Sequence, residues 1–477
     1  SIYGSRLAEV FKTPNIDRLG EEGIRLNNFF STNALCTPAR ANLMTGQYSH
    51  ANGVRTLEDA WHPENGGPNL AVLLHQASYQ TAIFGKWHLL CKPVGFDEYK
   101  YLSNVYQQGT YRDPEFMEKG RGVIRHPGHV TDIITDMCLK WLREDRDTTR
   151  PFFLMCHHKA PHDQWEYQER YEHLFDNVDI PVPDSLFEDR SHRSVASRDY
   201  GASVTPRSKV RNLYSYFINP KYPTGQLTGT ENMSFEEKGI AAYQKYLRDY
   251  LRTVAGIDDS VGALLGELER QGILDDTIVI YTSDQGFFLG EHDYQDKRWS
   301  YEEALRSPFL VRYPREIAHG SLCDELMANV DIAPTLLDYA GLEAHHGMQG
   351  VSLRETLAGG PGLRNEIYFR YWMHRAHRMD NPAHFGIRTA DFKLIFYYGL
   401  PLDASGALAE RTPPGWELYD LRQDPLEQHN VYCDPSYAKF VVKLKERLFE
   451  VKRELGDDDV SYPEIAERIQ QAMRECE

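Results

Sequence analysis

The chain has 477 residues, of which 41% are hydrophobic and 26% are charged. This composition excludes collagen, a coiled coil and wholesale disorder, and no stretch approaches the ~18 continuous apolar residues of a membrane span. The 53 basic and 70 acidic side chains leave a net charge of −17, which argues against a nucleic-acid partner because such binders usually carry a basic excess. An anionic substrate stays open, since a local cationic pocket can lie in an acidic protein.

The seven cysteines form no C-x-x-C pair, so the sequence indicates neither a zinc ribbon nor a thioredoxin-type site. A dense disulfide framework is not expected, although one or two bridges stay open. The sequence begins with Ser1 and shows no signal peptide. We therefore expect a periplasmic or secreted protein if a signal peptide precedes Ser1, and a cytoplasmic protein otherwise.

Apolar runs of strand length alternate with amphipathic runs over the first two-thirds of the chain. This alternation predicts an α/β fold with a mostly parallel sheet covered by helices on both faces. Buried strands are predicted at residues 81–85, 151–156 and 277–282. The clearest helix spans about 235–271, where apolar residues recur at spacings of three and four. Residues 163–234 are rich in Pro, Asp, Arg, Ser and Tyr, and we expect a long surface excursion that builds the substrate rim.

The pattern changes after about residue 361. Short aromatic-rich runs separated by turn residues, at 367–372, 384–389, 393–398 and 416–420, predict a small antiparallel sheet. A helix follows, with an apolar stripe from about residue 440 to residue 455. We therefore predict a catalytic domain over residues 1–350 and a C-terminal subdomain over residues 351–477.

The segment Cys-Thr-Pro-Ala-Arg at residues 36–40 precedes a helix-compatible run, and Pro38 is favourable in a first helical turn. A cysteine at such a position experiences the positive end of the helix dipole, which favours its thiolate. Arg40 adds positive charge close to Cys36. An isolated cysteine of this kind is more often an ordinary buried residue, so the surrounding sequence has to decide its role.

Three further segments carry side chains suited to an anion or a cation. Lys86 and His88 are two residues apart, so on an extended backbone they face one pocket. His162 follows a predicted strand, at the sheet edge where ligands of α/β proteins bind. Asp284 and Gln285 also follow a strand, and their oxygens suit a hard divalent cation. Each segment also has a purely structural interpretation: a surface lysine, a core histidine or a simple Asx turn.

Taken together, these segments resemble the signature of the type I sulfatases, which belong to the alkaline-phosphatase-like superfamily. The C-x-P-x-R motif is followed by Leu-Met-Thr-Gly, and the phrases Lys-Thr-Pro-Asn, Gly-Lys-Trp-His, Ala-Pro-His and Ser-Asp-Gln-Gly occur in the family's order. The resemblance runs from residue 12 to about residue 424. It implies that a formylglycine-generating enzyme oxidises Cys36 to formylglycine, and that the mature protein hydrolyses sulfate esters.

The resemblance also implies roles for individual residues. One hydroxyl of the formylglycine hydrate would attack sulfur and the other would later expel sulfate, which divides one hard step into two. Arg40, Lys86 and Lys297 would stabilise charge around the sulfuryl group. His162 would protonate the leaving alcohol, and His88 would hold the formylglycine and act as the base in the elimination step.

One divalent cation, with Ca²⁺ as the first choice, is implied at Asp284, Gln285 and the modified Cys36. The family normally places two adjacent aspartates at the end of a first strand, upstream of the Thr-Pro-Asn phrase. Residues 1–11 contain no aspartate. We infer that this strand and its aspartate pair are missing from the sequence; a natural loss of metal binding is the alternative.

The substrate is predicted from the C-terminal subdomain. His374, His377 and His384 lie among aromatic residues, and the phrase around His384 resembles that of glycan sulfatases. Such side chains suit an anionic sugar, so we expect a sulfated saccharide, an amino-sugar sulfate being one form; a packed aromatic sheet is the structural alternative. Two other functions stay open, a phosphonate or phosphate ester hydrolase of the same superfamily and a non-catalytic glycan-binding pseudoenzyme. No nucleic-acid or membrane partner is expected.

Overall fold

The computed structural model describes residues 6–473. The strands, in chain order, are β1 (Ile24–Leu26), β2 (Phe29–Phe30), β3 (Gln80–Gly85), β4 (Glu98–Leu102), β5 (Glu115–Glu118), β6 (Gly122–Arg125), β7 (Phe152–His157), β8 (Val279–Thr282), β9 (Phe288–Leu289), β10 (Gln295–Asp296), β11 (Phe309–Arg312), β12 (Ser321–Cys323), β13 (Met327–Ala328), β14 (Glu366–Tyr371), β15 (His384–Thr389), β16 (Phe392–Tyr397) and β17 (Gly415–Asp420).

The helices are α1 (Pro14–Glu21), α2 (Cys36–Thr45), α3 (Ser49–Asn52), α4 (Leu70–Gln76), α5 (Asn104–Gln107), α6 (Val130–Lys140), α7 (Leu213–Phe217), α8 (Phe235–Arg270), α9 (Glu302–Leu305), α10 (Ile332–Tyr339), α11 (Arg354–Leu357), α12 (Ala438–Leu455) and α13 (Glu464–Ala472). Within the described part of the chain, none of them is long and apolar enough to cross a membrane.

The strands form two larger mixed sheets in the first part of the chain. One has the order β12-β1-β11-β8, and the other has the order β6-β5-β4-β3-β7. Strand β3 is parallel to both β4 and β7, whereas β11 is antiparallel to β1 and to β8. Helices pack against these sheets, so the α/β prediction is confirmed, with more antiparallel pairing than the sequence pattern indicated.

Helix α8 is the longest element and was predicted to within one residue at its C-terminal end. A capping box starts it, because the Ser234 hydroxyl accepts from the Glu237 N–H while the Glu237 carboxylate accepts from the Ser234 N–H. Further along, Asp258 accepts hydrogen bonds from the backbone N–H of Asn15 and of Ile16, at 3.1 and 2.8 Å. Asp258 thereby caps the first turn of α1 and is not a metal ligand.

The edge strands β7 and β8 border a cavity of about 1410 Å³ that runs from the apolar interior to the carboxyl ends of both strands. Among the described residues, β7 pairs only with β3 and β8 pairs only with β11. Leu154, Ile280 and Leu264 are among the apolar side chains that line the cavity. Over the part of the chain that the structure describes, one edge of β7 and one edge of β8 are therefore unpaired where they border this cavity.

The C-terminal sheet has the order β14-β15-β16-β17 and is antiparallel throughout, as predicted. One apolar cluster joins Phe385 and Trp416 of this sheet to Phe30, Trp299 and Tyr301 of the preceding part. The hydrophobic core therefore continues across the predicted boundary at residue 350.

A buried ion cluster fastens this sheet to α9, which begins five residues after Lys297. Lys393 Nζ lies 2.8 Å from Glu302 Oε1 and 2.7 Å from Glu427 Oε1. All three side chains are at least nine-tenths buried. Removing one partner leaves an uncompensated buried charge, which is far more costly than losing a surface pair.

We expect Lys393→Ala to lower the free energy of unfolding by about 3–5 kcal/mol, because Glu302 and Glu427 then lose their shared cation in the interior. Thermal denaturation monitored by circular dichroism measures this effect. The matched control is Lys439→Ala, which removes an exposed lysine of α12. Equal melting temperatures for the two variants would contradict a structural role for the cluster.

Candidate active site

Cys36 is the first residue of α2, as the sequence predicted. The preceding residue, Leu35, is extended with φ −149° and ψ 136°, and Pro38 lies in the first turn. The Cys36 side chain is a free thiol and is only 2% exposed. It therefore lies where the unpaired N–H groups and the positive end of the helix dipole favour negative charge.

Cationic and hydrogen-bonding side chains surround the Cys36 sulfur. Burial alone would raise the pKa of this thiol, but the charges of Lys297 and Lys86 hold it well below its usual range. Hydrogen bonds from His162 and His88 act in the same direction. Residues that are as much as 261 positions apart in sequence thus converge on one sulfur atom and form a site for an anion.

Lys86 and His88 reach this site from the loop after β3. The sequence predicts that both side chains face one pocket because they are two residues apart on an extended backbone. This geometric reason is wrong, because His88 has φ +54° and lies beyond the strand. Gly85 permits the turn: its φ is +108°, and a Cβ there would lie 1.9 Å from the His157 carbonyl oxygen. Burial lowers the pKa of Lys86, and it lowers the pKa of His88 to about 4.

Lys297 enters the site from the opposite side and is held by its neighbour. Its Nζ lies 2.9 Å from Asp296 Oδ1 and 3.5 Å from His162 Nε2. Burial opposes the ammonium form, but the charges of Asp296 and Cys36 outweigh it and raise the pKa of Lys297. The lysine therefore stays cationic although it is only 3% exposed.

Arg40 connects the segments of the site. Its Nε donates to Asp284 Oδ2 at 2.9 Å, and its Nη1 donates to the Lys86 carbonyl oxygen at 2.7 Å. The same Nη1 lies 3.2 Å from His157 Nδ1. The resemblance implies that Arg40 stabilises charge around the sulfuryl group. In this structure its guanidinium contacts Asp284 and the Lys86 carbonyl oxygen and so helps to fix their positions.

Asp284 and Gln285 have the donor atoms that a hard cation needs, but they are too few. Gln285 Nε2 lies 3.9 Å from Cys36 Sγ, and Gln285 Oε1 is buried with no hydrogen-bond partner in the described structure. Over residues 6–473, no group of three or more His, Cys, Asp or Glu side chains is arranged to hold a metal ion. Because Ca²⁺ takes six to eight oxygen ligands, these two residues fit part of a metal site and do not complete it.

The three C-terminal histidines differ in their surroundings. His384 is buried, with Nδ1 2.8 Å from the Pro382 carbonyl oxygen and Nε2 2.7 Å from Ser300 Oγ. His374 is also buried, and its two ring nitrogens contact backbone groups of Glu410 and Ala383. Both rings are thus fully engaged inside the protein and do not offer a free nitrogen to a ligand, contrary to the expectation that they bind substrate.

His377 is the exposed member of the three. Its Nδ1 lies 3.3 Å from Arg298 Nη2, and Arg298 also contacts Asp296 and the Tyr371 hydroxyl. His377 is thereby linked to the candidate site through Arg298 and Asp296, the residue that also holds Lys297. Asp296 and Arg298 were not predicted as residues of the site, although the charged run Asp-Lys-Arg around Lys297 was a signal that could have identified them.

The comparisons with known proteins agree with this geometry. A sulfatase family model matches residues 1–342, and a model described as N-sulphoglucosamine sulphohydrolase, C-terminal, matches residues 290–454. An N-acetylglucosamine-6-O-sulfatase of Bacteroides thetaiotaomicron is 38% identical over 497 residues, covering 96% of this chain and 84% of that protein. The human N-acetylglucosamine-6-sulfatase is 28% identical over 377 residues, covering 74% of this chain and 62% of that protein.

Solved structures give the same result. One, of a protein in complex with its substrate D-glucosamine-2-N,6-O-disulfate, superposes with a TM-score of 0.83 at 37% identity and covers 96% of this chain and 95% of that one. A phosphonate monoester hydrolase from Silicibacter pomeroyi superposes with a TM-score of 0.70 at 19% identity, covering 96% and 94%, which shows a shared fold only. The alkaline-phosphatase-like fold expected from the sequence is confirmed, and this chain belongs to the sulfatase family.

Proposed function

We propose that this enzyme removes the 6-O-sulfate group from a glucosamine-type sugar. The cationic pocket around Cys36 carries the proposal, because Lys86 and Lys297 place two buried positive charges beside one nucleophile position. A monoester of sulfuric acid presents the compact anion that such a pocket binds. Support for the sugar comes from two relatives that are named for N-acetylglucosamine 6-sulfate, and from a similar solved structure that holds a glucosamine disulfate.

The sulfatase family works with a formylglycine and a divalent metal, and position 36 is where the modified residue belongs. When present, its hydrate supplies the hydroxyl that attacks sulfur. Lys86 and Lys297 hold the sulfuryl oxygens, since both ammonium groups act on the atom at position 36. His162 delivers a proton to the departing sugar oxygen, and His88 would accept the proton of the hydrate's second hydroxyl as sulfate leaves and the aldehyde forms again.

Cys36→Ala should reduce sulfate release to background, because no other side chain of the pocket is placed to become the nucleophile. Peptide mass spectrometry of the active enzyme should find an aldehyde where the sequence has a thiol. Cys323→Ala is the matched control, since Cys323 is a free buried thiol of β12, far from the pocket in the fold. Full activity from protein that carries unmodified Cys36 would contradict the proposal.

His162→Ala should lower kcat for a sugar sulfate by about 10²–10⁴-fold, the usual contribution of a general acid. The loss should be much smaller for 4-nitrophenyl sulfate, because nitrophenolate leaves without a proton. Steady-state kinetics on both substrates measures the difference. An equal loss on both would place His162 in sulfate binding instead.

His377 contacts Arg298 at 3.3 Å, and Arg298 follows the pocket lysine Lys297 in the chain; we propose that the sugar extends towards this pair. The sequence predicts a substrate contact for all three C-terminal histidines, and we now propose this contact for His377 alone. An exposed imidazole beside a guanidinium can hydrogen bond a sugar hydroxyl or an N-acyl or N-sulfate group. His374 and His384 instead hold the backbone of the subdomain.

His377→Ala should raise KM or lower kcat/KM for glucosamine 6-sulfate by roughly five- to two-hundred-fold, which corresponds to one lost hydrogen bond of about 1–3 kcal/mol. Hydrolysis of a small aryl sulfate should change little, since it makes no contact at that position. His384→Ala is the comparison variant and should instead lower the melting temperature. Selective loss of sugar hydrolysis in His384→Ala, with His377→Ala unaffected, would refute this assignment.

We further propose that, in the complete polypeptide, a β-strand preceding residue 1 fills the cavity between β7 and β8 and brings further oxygen ligands to the metal. Two observations support this. The cavity reaches Asp284 and Gln285 at its polar end, where the metal ligand set is incomplete. Arg6, close to the start of the described chain, lies beside the cavity, because its guanidinium contacts the Leu289 carbonyl oxygen at 3.0 Å and the Glu291 carboxylate at 2.6 Å, and both residues line the cavity.

Ca²⁺ should raise the melting temperature of the complete polypeptide and leave that of residues 1–477 alone nearly unchanged, because a ligand stabilises only a state that binds it. Differential scanning calorimetry with Ca²⁺ and with a chelator measures this, independently of activity. Asp284→Asn should remove the Ca²⁺ effect in the complete polypeptide. Strong Ca²⁺ stabilisation of residues 1–477 by themselves would contradict the proposal.

A further inference from the structure

The His162 imidazole is held from behind by the next residue in the chain. His162 Nδ1 lies 2.5 Å from Asp163 Oδ1, an ion-pair distance that leaves little freedom to the ring. The backbone is fixed as well, because the Tyr111 hydroxyl donates to the His162 carbonyl oxygen at 2.5 Å. With Nδ1 occupied, the ring presents its other nitrogen to the pocket.

That other nitrogen lies among the reacting groups. His162 Nε2 is 3.5 Å from Lys297 Nζ, and His162 lines the same cavity as Lys86 and Lys297. A half-turn of the ring about its Cβ–Cγ bond would exchange Nδ1 with Cδ2 and Nε2 with Cε1, and would move Nε2 away from its position beside Lys297. The carboxylate of Asp163 opposes this rotation, because it fixes which nitrogen faces the protein.

Asp163 is in turn held by the long excursion. Arg211 Nη2 lies 3.2 Å from Asp163 Oδ2, the oxygen that His162 does not use. The Arg211 guanidinium also lies over the Tyr216 ring, 4.9 Å from its centroid. Burial opposes ionisation of Asp163, but the charges of His162 and Arg211 outweigh it and hold its pKa well below the usual range. Arg211, from the middle of the segment 163–234, thus contacts the carboxylate that holds the His162 ring.

We propose that Asp163, fixed by Arg211, is a positioning residue that orients His162 for proton delivery to the leaving oxygen. The inference rests on the proposed role of His162 as the acid. It assigns the excursion a function beyond forming a rim: one of its arginines sets the geometry of a catalytic side chain. Carboxylates that orient a metal-bound imidazole typically contribute 10- to 100-fold in activity, and we expect a contribution of the same order from Asp163.

The test is Asp163→Asn, assayed on glucosamine 6-sulfate and on 4-nitrophenyl sulfate. We expect kcat on the sugar sulfate to fall by about 10- to 100-fold with little change in KM, and kcat on the aryl sulfate to fall much less. Asp163→Glu keeps a carboxylate and should retain more activity than Asp163→Asn. Arg211→Gln should show the same substrate pattern with a smaller loss.

The chain offers a matched control at Asp176. This carboxylate also joins a histidine to an arginine, with His173 Nδ1 at 2.9 Å and Arg252 Nη2 at 2.9 Å, but it lies outside the pocket. Asp176→Asn should leave kcat on both substrates unchanged. The aryl sulfate also serves as a folding control, since a misfolded variant loses both activities together.

A double variant separates this inference from the proposed function. If Asp163 acts through His162, adding Asp163→Asn to His162→Ala should cause no further loss on the sugar sulfate, because residues that act as a unit are not additive. Equal losses on both substrates, or additive losses in the double variant, would overturn the positioning role. If His162→Ala itself shows no dependence on the leaving group, the proposed acid is wrong; a normal His162→Ala result with an unaffected Asp163→Asn would refute only the inference.

Discussion

The fold concentrates positive charge at one buried point, and the rest of the site depends on this constraint. Lys86 and Lys297 are both 3% exposed, and a buried ammonium is costly unless an anion compensates it. The compensation comes from Asp296 and the group at position 36 for Lys297, and from the group at position 36 and Asp284 for Lys86. A pocket built in this way binds a sulfate ester because its own electrostatics are incomplete without an anion.

Holding these charges requires elements from both ends of the chain. The helix that carries Cys36 supplies its N-terminus, the loop after β3 supplies Lys86, and the segment before α9 supplies Lys297. Arg40 ties two of these segments together through Asp284 and the Lys86 carbonyl oxygen. The buried cluster around Lys393 and Glu302 then fastens α9 to the C-terminal sheet, so the C-terminal subdomain stabilises the loop next to the nucleophile.

Local sequence patterns predicted the helices and strands well, but they predicted the contacts between residues far apart in sequence only in part. The 3.6-residue periodicity of α8 and the short aromatic strands after residue 361 could be recognised in the sequence, because each element shows its own burial pattern. The resemblance brought Cys36, Lys86, His88, His162 and Lys297 to one site, and the structure places them together. The pairing of Arg40 with Asp284 was not predictable, since the two residues are 244 positions apart. The contact between Arg211 and Asp163 was not predictable for the same reason. The roles of His374 and His384 were assigned wrongly because burial within a sheet depends on tertiary structure, which a local sequence pattern does not show.

The central claim is that the pocket selects the 6-O-sulfate of a glucosamine-type sugar. Product analysis by nuclear magnetic resonance tests it most directly, with the complete polypeptide in Ca²⁺ and D-glucosamine-2-N,6-O-disulfate as the substrate. Our account predicts release of one sulfate, from the 6-oxygen, with the N-sulfate retained. Retention of both sulfates, or loss of the N-sulfate while the 6-O-sulfate remains, would contradict it.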